Sequence, residues 1–137
     1  MVTVIDAENA VLGRLCTKVA ERILDGEEIA VVNSEKAIIT GKKKRIKDKY
    51  LKKRQVGTYR KGPYFPRSSD RIVKKTVRGM IPYQKPDGRA AFKRLKCYIG
   101  VPEEFEKEKA EKIKDTEKKP VEYITIKEIS KYLGADV

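Results

Sequence analysis

Histidine is absent from this chain, and cysteine occurs only twice, at Cys16 and Cys97. Without histidine the commonest general base and metal ligand is missing. Two cysteines cannot complete a zinc site without other ligands, and each is flanked by apolar residues, so buried free thiols are expected. No apolar run approaches the roughly 20 residues that a membrane span needs. The opening MVTVIDAENA has neither the basic segment nor the apolar stretch of a secretory signal, so a cytosolic chain is expected. The phosphate-loop pattern is missing as well. Gly41-Lys42 resembles its end, but Lys36 stands where the motif needs Gly, and Lys43 where it needs Ser or Thr. Ser34 and Thr40 have no base in a recognisable pattern. Asp6 and Glu8 suit the positive end of a following helix better than they suit catalysis. Neither an enzyme nor a metal or cofactor site is expected.

What the chain does have is positive charge in one place. Residues 42–96 hold 21 Lys or Arg against three acids, Asp48, Asp70 and Asp87, a net of +18. Residues 1–41 are net −3 and residues 97–137 net −2. A solubilising surface normally intersperses both signs. A block of one sign favours a polyanion, because each phosphate neutralised releases condensed counterions. Nucleic acid is therefore the expected partner. With 137 residues the chain reads as a single domain, 1–137, with a modest core. Its hydrophobic and charged shares are equal, 39% each, but the apolar residues are clustered rather than diluted, which suits a folded domain.

The first forty residues read as a β-α-β unit. Val2 to Ile5 is a β-branched run fit for a strand. Asn9 is expected to cap a helix in which Leu12, Leu15, Cys16, Val19, Ala20 and Ile23 share one face, with Gly26 as its stop. Ile29 to Val32 is the second strand, and a crossover helix between two strands implies a parallel pair. A shorter run, Ala37 to Ile39, follows. From Lys42, GKKKRIKDKYLKKR predicts a helix basic all round, docked only by Ile46, Tyr50 and Leu51. QVGTYRKGPYFPRSS reads as a loop, broken by Gly57, Gly62, Pro63 and Pro66. Its rings Tyr59, Tyr64 and Phe65 alternate with Arg60, Lys61 and Arg67; they either stack on unpaired bases or anchor the loop. Ser68 or Ser69 is expected to cap a helix with Ile72, Val73, Thr76 and Val77 inward, ended by Gly79 and Pro82. PDGRAAFKRL reads as a short helix with Ala91, Phe92 and Leu95 inward and Arg89, Lys93 and Arg94 more exposed. Residues 96–99 form a further strand. Residues 103–119 are a charged excursion, either a solvated helix or a mobile segment. Residues 121–134 close the chain with a strand and a helix, capped by Thr125 with Glu128 and docked by Ile129, Tyr132 and Leu133.

VIDAENAVLGRLCTKVAERIL and GEEIAVVNSEKAIITGKK, followed by VRGMIP at 77–82 and RAAFKRLKCYIGVP at 89–102, resemble the L-thirteen family of large-subunit ribosomal proteins. KGPYFPRSSDRI at 61–72 resembles its archaeal and eukaryotic branch. The likeness spans roughly residues 2–102 in the right order, whereas 103–119 matches no motif. It implies a three-layer α/β/α domain on a small, mostly parallel sheet, carrying basic helix and loop extensions. It also implies a structural role, binding large-subunit ribosomal RNA beside neighbouring ribosomal proteins and supporting subunit assembly in the cytoplasmic ribosome. Arg78, Gly79, Met80 and Pro82 should then lie near RNA, with Gly79 allowing close backbone approach and Met80 packing. The expected contacts with phosphate and sugar are Lys42, Lys43, Lys44, Arg45, Lys52, Lys53 and Arg54 on the basic helix. Arg60, Lys61 and Arg67 in the loop, with Arg71, Lys74, Lys75 and Arg89 beyond it, complete the set, and Tyr59 is the candidate stacking ring. A free-standing RNA-binding chaperone would show the same charge block and is the alternative.

Overall fold

The computed structural model describes residues 2–58, 60–113 and 121–135. Strand β1 (Val2–Asp6), helix α1 (Leu12–Leu24) and strand β2 (Glu28–Val32) form the β-α-β unit. A 3-10 turn at Ser34–Lys36 leads to strand β3 (Ile38–Thr40). Helices α2 (Lys43–Gln55), α3 (Ser69–Arg78) and α4 (Pro86–Lys93) carry the basic block. Strand β4 (Leu95–Cys97), a 3-10 turn at Glu103–Phe105, strand β5 (Tyr123–Thr125) and helix α5 (Ile126–Tyr132) complete the order.

The sheet runs β1-β2-β4, parallel throughout, with Val4 opposite Ala30 and Ala30 opposite Lys96. β3 and β5 form a separate antiparallel ribbon, Ile38 opposite Thr125. α1 buries the six residues its spacing predicts, and α1, α3 and α4 pack on the sheet face that presents Ile5, Ile29, Val31 and Leu95. Burying each large aliphatic side chain is worth about 1.5–3 kcal/mol, so this face holds most of the core. The opposite layer is thin. Val4, Ala30 and Val32 are covered by Phe105, with Tyr98 and Ala110 packed alongside. The domain is thus α/β on a small parallel sheet, with its helical mass on one side.

Several local expectations change. Asn9 does not cap α1: it sits at φ +62° and the helix starts after Val11, with no side-chain cap bond. Asp6 is likewise a tie between strand ends, not a dipole partner. Its Oδ1 accepts from the Glu8 amide at 2.9 Å and from Asn33 Nδ2 at 3.1 Å. Ser68 takes the N-cap position of α3, but its side chain makes no cap bond; Ser69 is buried and its hydroxyl lies 2.8 Å from that of Ser130, joining α3 to α5. Arg94 folds inward, donating to the Ile23 carbonyl at 2.8 Å, and Leu95 opens β4 instead of continuing α4. Tyr132 faces outward, 43% exposed, beneath Lys47. The Thr125 hydroxyl does accept the Glu128 amide, at 3.3 Å. The charged excursion is neither helix nor free over its described part. Phe105 plugs the thin face, and Glu111 joins the edge of β1, donating to the Val4 carbonyl and accepting from the Asp6 amide. Residues 114–120 of that excursion lie outside the described residues.

Candidate nucleic-acid interface

Helix α2 docks by a narrow stripe. Ile46 and Tyr50 are each 7% exposed, Leu51 is half-buried, and the Tyr50 ring meets Phe65 edge-on at 5.7 Å. With so little of the helix consumed by packing, Lys42, Lys43, Lys44, Arg45, Lys52 and Lys53 stand exposed. Arg54 is half-buried and donates to the Phe65 carbonyl at 2.6 Å, so it fixes the following loop onto the helix. Lys43 lies 3.7 Å from Glu128. Lys53 lies over both rings, 4.9 Å from Tyr50 and 5.4 Å from Phe65. Partial burial, and then the charge of Lys49 one turn earlier, push its pKa below the usual lysine value.

The loop that follows presents Arg60, Lys61 and Arg67 on the surface. Phe65 is the anchor, packed on α2, while Tyr64 is 64% exposed. Tyr59, the ring singled out for stacking, lies outside the described residues.

On α3, the helical period places Arg71, Lys75 and Arg78 outward, with Lys74 half-buried, its ammonium 5.1 Å from the Phe92 ring. The guanidinium of Arg78 stacks on Tyr83 at 4.1 Å. Arg89 turns back from α4 and donates to the carbonyls of Tyr83 and Gln84, at 3.2 and 3.4 Å. It braces the turn that follows Gly79. Exposed Gly79 has an ordinary φ of −69°, and a Cβ there would meet nothing nearer than the Thr76 carbonyl at 3.6 Å. Gly88 is the glycine that packing demands: its Cβ would fall 1.9 Å from the Pro82 carbonyl oxygen. That close approach of α4 to the turn was not anticipated from the sequence, which gave Gly88 no role. Met80 is 42% exposed, with its sulfur 3.6 Å from the Thr17 hydroxyl.

Two open grooves meet at Lys75 and Gly79. One, about 530 Å³, is lined by Arg78, Gln84 and Lys85 among others; the second, about 500 Å³, reaches across to Lys49, Tyr50 and Lys53 on α2. Of the expected contacts, Lys53, Lys75, Arg78 and Gly79 are thereby brought together, with Lys49 and Lys85 added, while the loop reaches the grooves only through Phe65. Lys49 was legible in principle from its four-residue spacing to Lys53; Lys85 sits just before the proline that opens α4. Among the described residues no carboxylate lies within ion-pair distance of Lys42, Lys44, Arg45, Lys52, Lys75 or Arg78. The cysteines play no part in this surface. Cys16 is fully buried, its thiol directed at the Val73 carbonyl, and burial drives its pKa far up; the Cys97 thiol is pushed up to about 12 for the same reason.

The sequence pattern of the family Ribosomal protein L13 matches residues 1–104. The chain belongs to that family. Among its L13 relatives, Large ribosomal subunit protein uL13 of Archaeoglobus fulgidus is 51% identical over 136 residues, covering 96% of this chain and 87% of the relative. The protein of the same name from Methanopyrus kandleri is 51% identical over 137 residues, covering 96% and 86%. That of Methanocaldococcus jannaschii is 48% identical over 139 residues, covering 97% and 98%. All three are archaeal, in keeping with the branch suggested by the 61–72 segment. Their likeness also runs past residue 104, through β5 and α5, which the L13 pattern itself does not reach.

Proposed function

We propose that this chain is a structural, non-catalytic constituent of the large ribosomal subunit, resident in the cytoplasmic ribosome, and that it holds ribosomal RNA on the face built by α2, the 56–68 loop and the end of α3. The observation that carries this reading is the set of exposed, carboxylate-poor cations on α2 and α3, of which Lys53, Lys75 and Arg78 line two adjoining grooves. Lys and Arg there meet phosphates and release counterions, and the braced turn at 79–85 gives the surface a fixed shape. The deep groove of A-form RNA hides its base edges, so recognition is mostly of backbone and shape. Neighbouring ribosomal proteins complete the site on the remaining faces.

Sedimentation of a tagged copy in cell extract, at low and raised salt, tests this. Stoichiometric migration with the large subunit that persists until salt is high is the expected result. Migration only at the top of the gradient at both salts would overturn it and favour a free-standing RNA chaperone.

A further inference from the structure

The groove between α1, α2 and α3 has a composition different from the rest of the cationic face. Its floor is apolar, with Leu12, Tyr50 and Phe65, and its rim carries Lys49, Lys53 and Lys75. No carboxylate lines it. Its volume of about 500 Å³ is in the range of small-ligand sites and is ample for one nucleotide. Lys49 and Lys53 are one turn apart on the same helix, a like-charge spacing that destabilises a helix in the absence of an anion. Lys53 also bridges the two rings, so charge and aromatic surface converge at one point. At the N-terminal end of α1, Gly13 leaves the mouth open: a Cβ there would meet nothing within 4 Å.

Resting on the RNA-binding reading above, we propose that this groove receives a single unpaired nucleotide of the bound RNA, its base against the edges of Tyr50 and Phe65 and its phosphate on Lys49, Lys53 and Lys75. The contact is independent of sequence to the extent that it is made by apolar surface and charge, since every base offers a flat face. It adds a single-strand anchor to a surface otherwise suited to duplex backbone.

The test uses the full chain, a short single-stranded RNA oligonucleotide and a blunt, fully paired RNA duplex, followed by amide chemical shifts. The single strand is expected to move the Gly13 and Thr40 amides around the groove, and the duplex to leave them in place. Gly13→Leu fills the mouth without changing charge, and Leu favours a helix more than Gly does, so folding is preserved. It is expected to weaken single-strand binding roughly tenfold, the scale of one lost base contact, and to leave the duplex affinity unchanged. If the duplex binds but the single strand leaves those amides unmoved, or if Gly13→Leu has the same effect on both RNAs, the nucleotide site is overturned while RNA binding stands. Binding of neither RNA would overturn both.

Discussion

At the scale of single residues, the two glycines flanking the turn have opposite roles. Gly→Ala inside a helix normally stabilises by roughly 0.5–1 kcal/mol. Gly88→Ala should reverse that sign, because its methyl would overlap the Pro82 carbonyl; a loss of about 1–3 kcal/mol is expected from urea denaturation, the usual cost of overpacking. Gly79→Ala should leave the denaturation midpoint nearly unchanged, its methyl finding room at 3.6 Å. The thiols make a second prediction. Below pH 9 they are protonated in both the folded and unfolded chain. Above it the unfolded chain ionises first, so stability falls as pH rises, from the ordinary value of 9.0 up to about 12 for Cys97. The fully buried Cys16 shares the direction, at a slope of ~1.4 kcal/mol per pH unit within the window. Denaturation midpoints of the chain and of Cys16→Ala, compared between pH 8 and 11, should diverge in slope, the variant being the flatter. Equal slopes would refute the assignment.

At the scale of elements, α2 is the informative case. Its packing rests on Ile46 and Tyr50, while the charged majority of its residues contributes nothing to the core. Ile46→Ala should cost about 2–4 kcal/mol, as buried aliphatic truncations do. Because the stripe is the apolar contact that seats the helix, the same variant should also weaken RNA binding although no cation is lost. A binding assay at a temperature where the variant remains folded checks this; unchanged affinity would mean that α2 is held by something other than its stripe. The helix also explains Arg54, whose bond to the Phe65 carbonyl couples the loop to α2. The period of the α2 sequence identified the stripe, but no local pattern could tell that Phe65 would come back to complete it.

At the scale of the molecule, binding is governed by how many cations meet phosphates together. If 6–10 do, affinity for ribosomal RNA should fall on the order of 10³–10⁵-fold between 50 and 200 mM salt. A titration over that range gives the number from its slope, and replacing one exposed lysine such as Lys44 by Gln should reduce the slope by about one. A flat salt dependence would exclude the electrostatic face altogether.

The fold class, the β-α-β start and the three basic helices were legible in the sequence, as was the charge block on which the proposed partner rests. Hydrophobic periodicity and net charge are properties of neighbouring residues, and a chain reports those directly. What depended on residues distant in sequence was decided only by the tertiary structure. The antiparallel pairing of β3 with β5, the sealing of the thin sheet face by Phe105, and the inward turn of Arg94 all join segments that lie far apart in the chain. The same holds for Gly88 against Pro82 and for the groove in which Lys49, Lys53 and Lys75 meet. Charge density follows from composition, but the shape in which that charge is presented follows from which helix faces find partners.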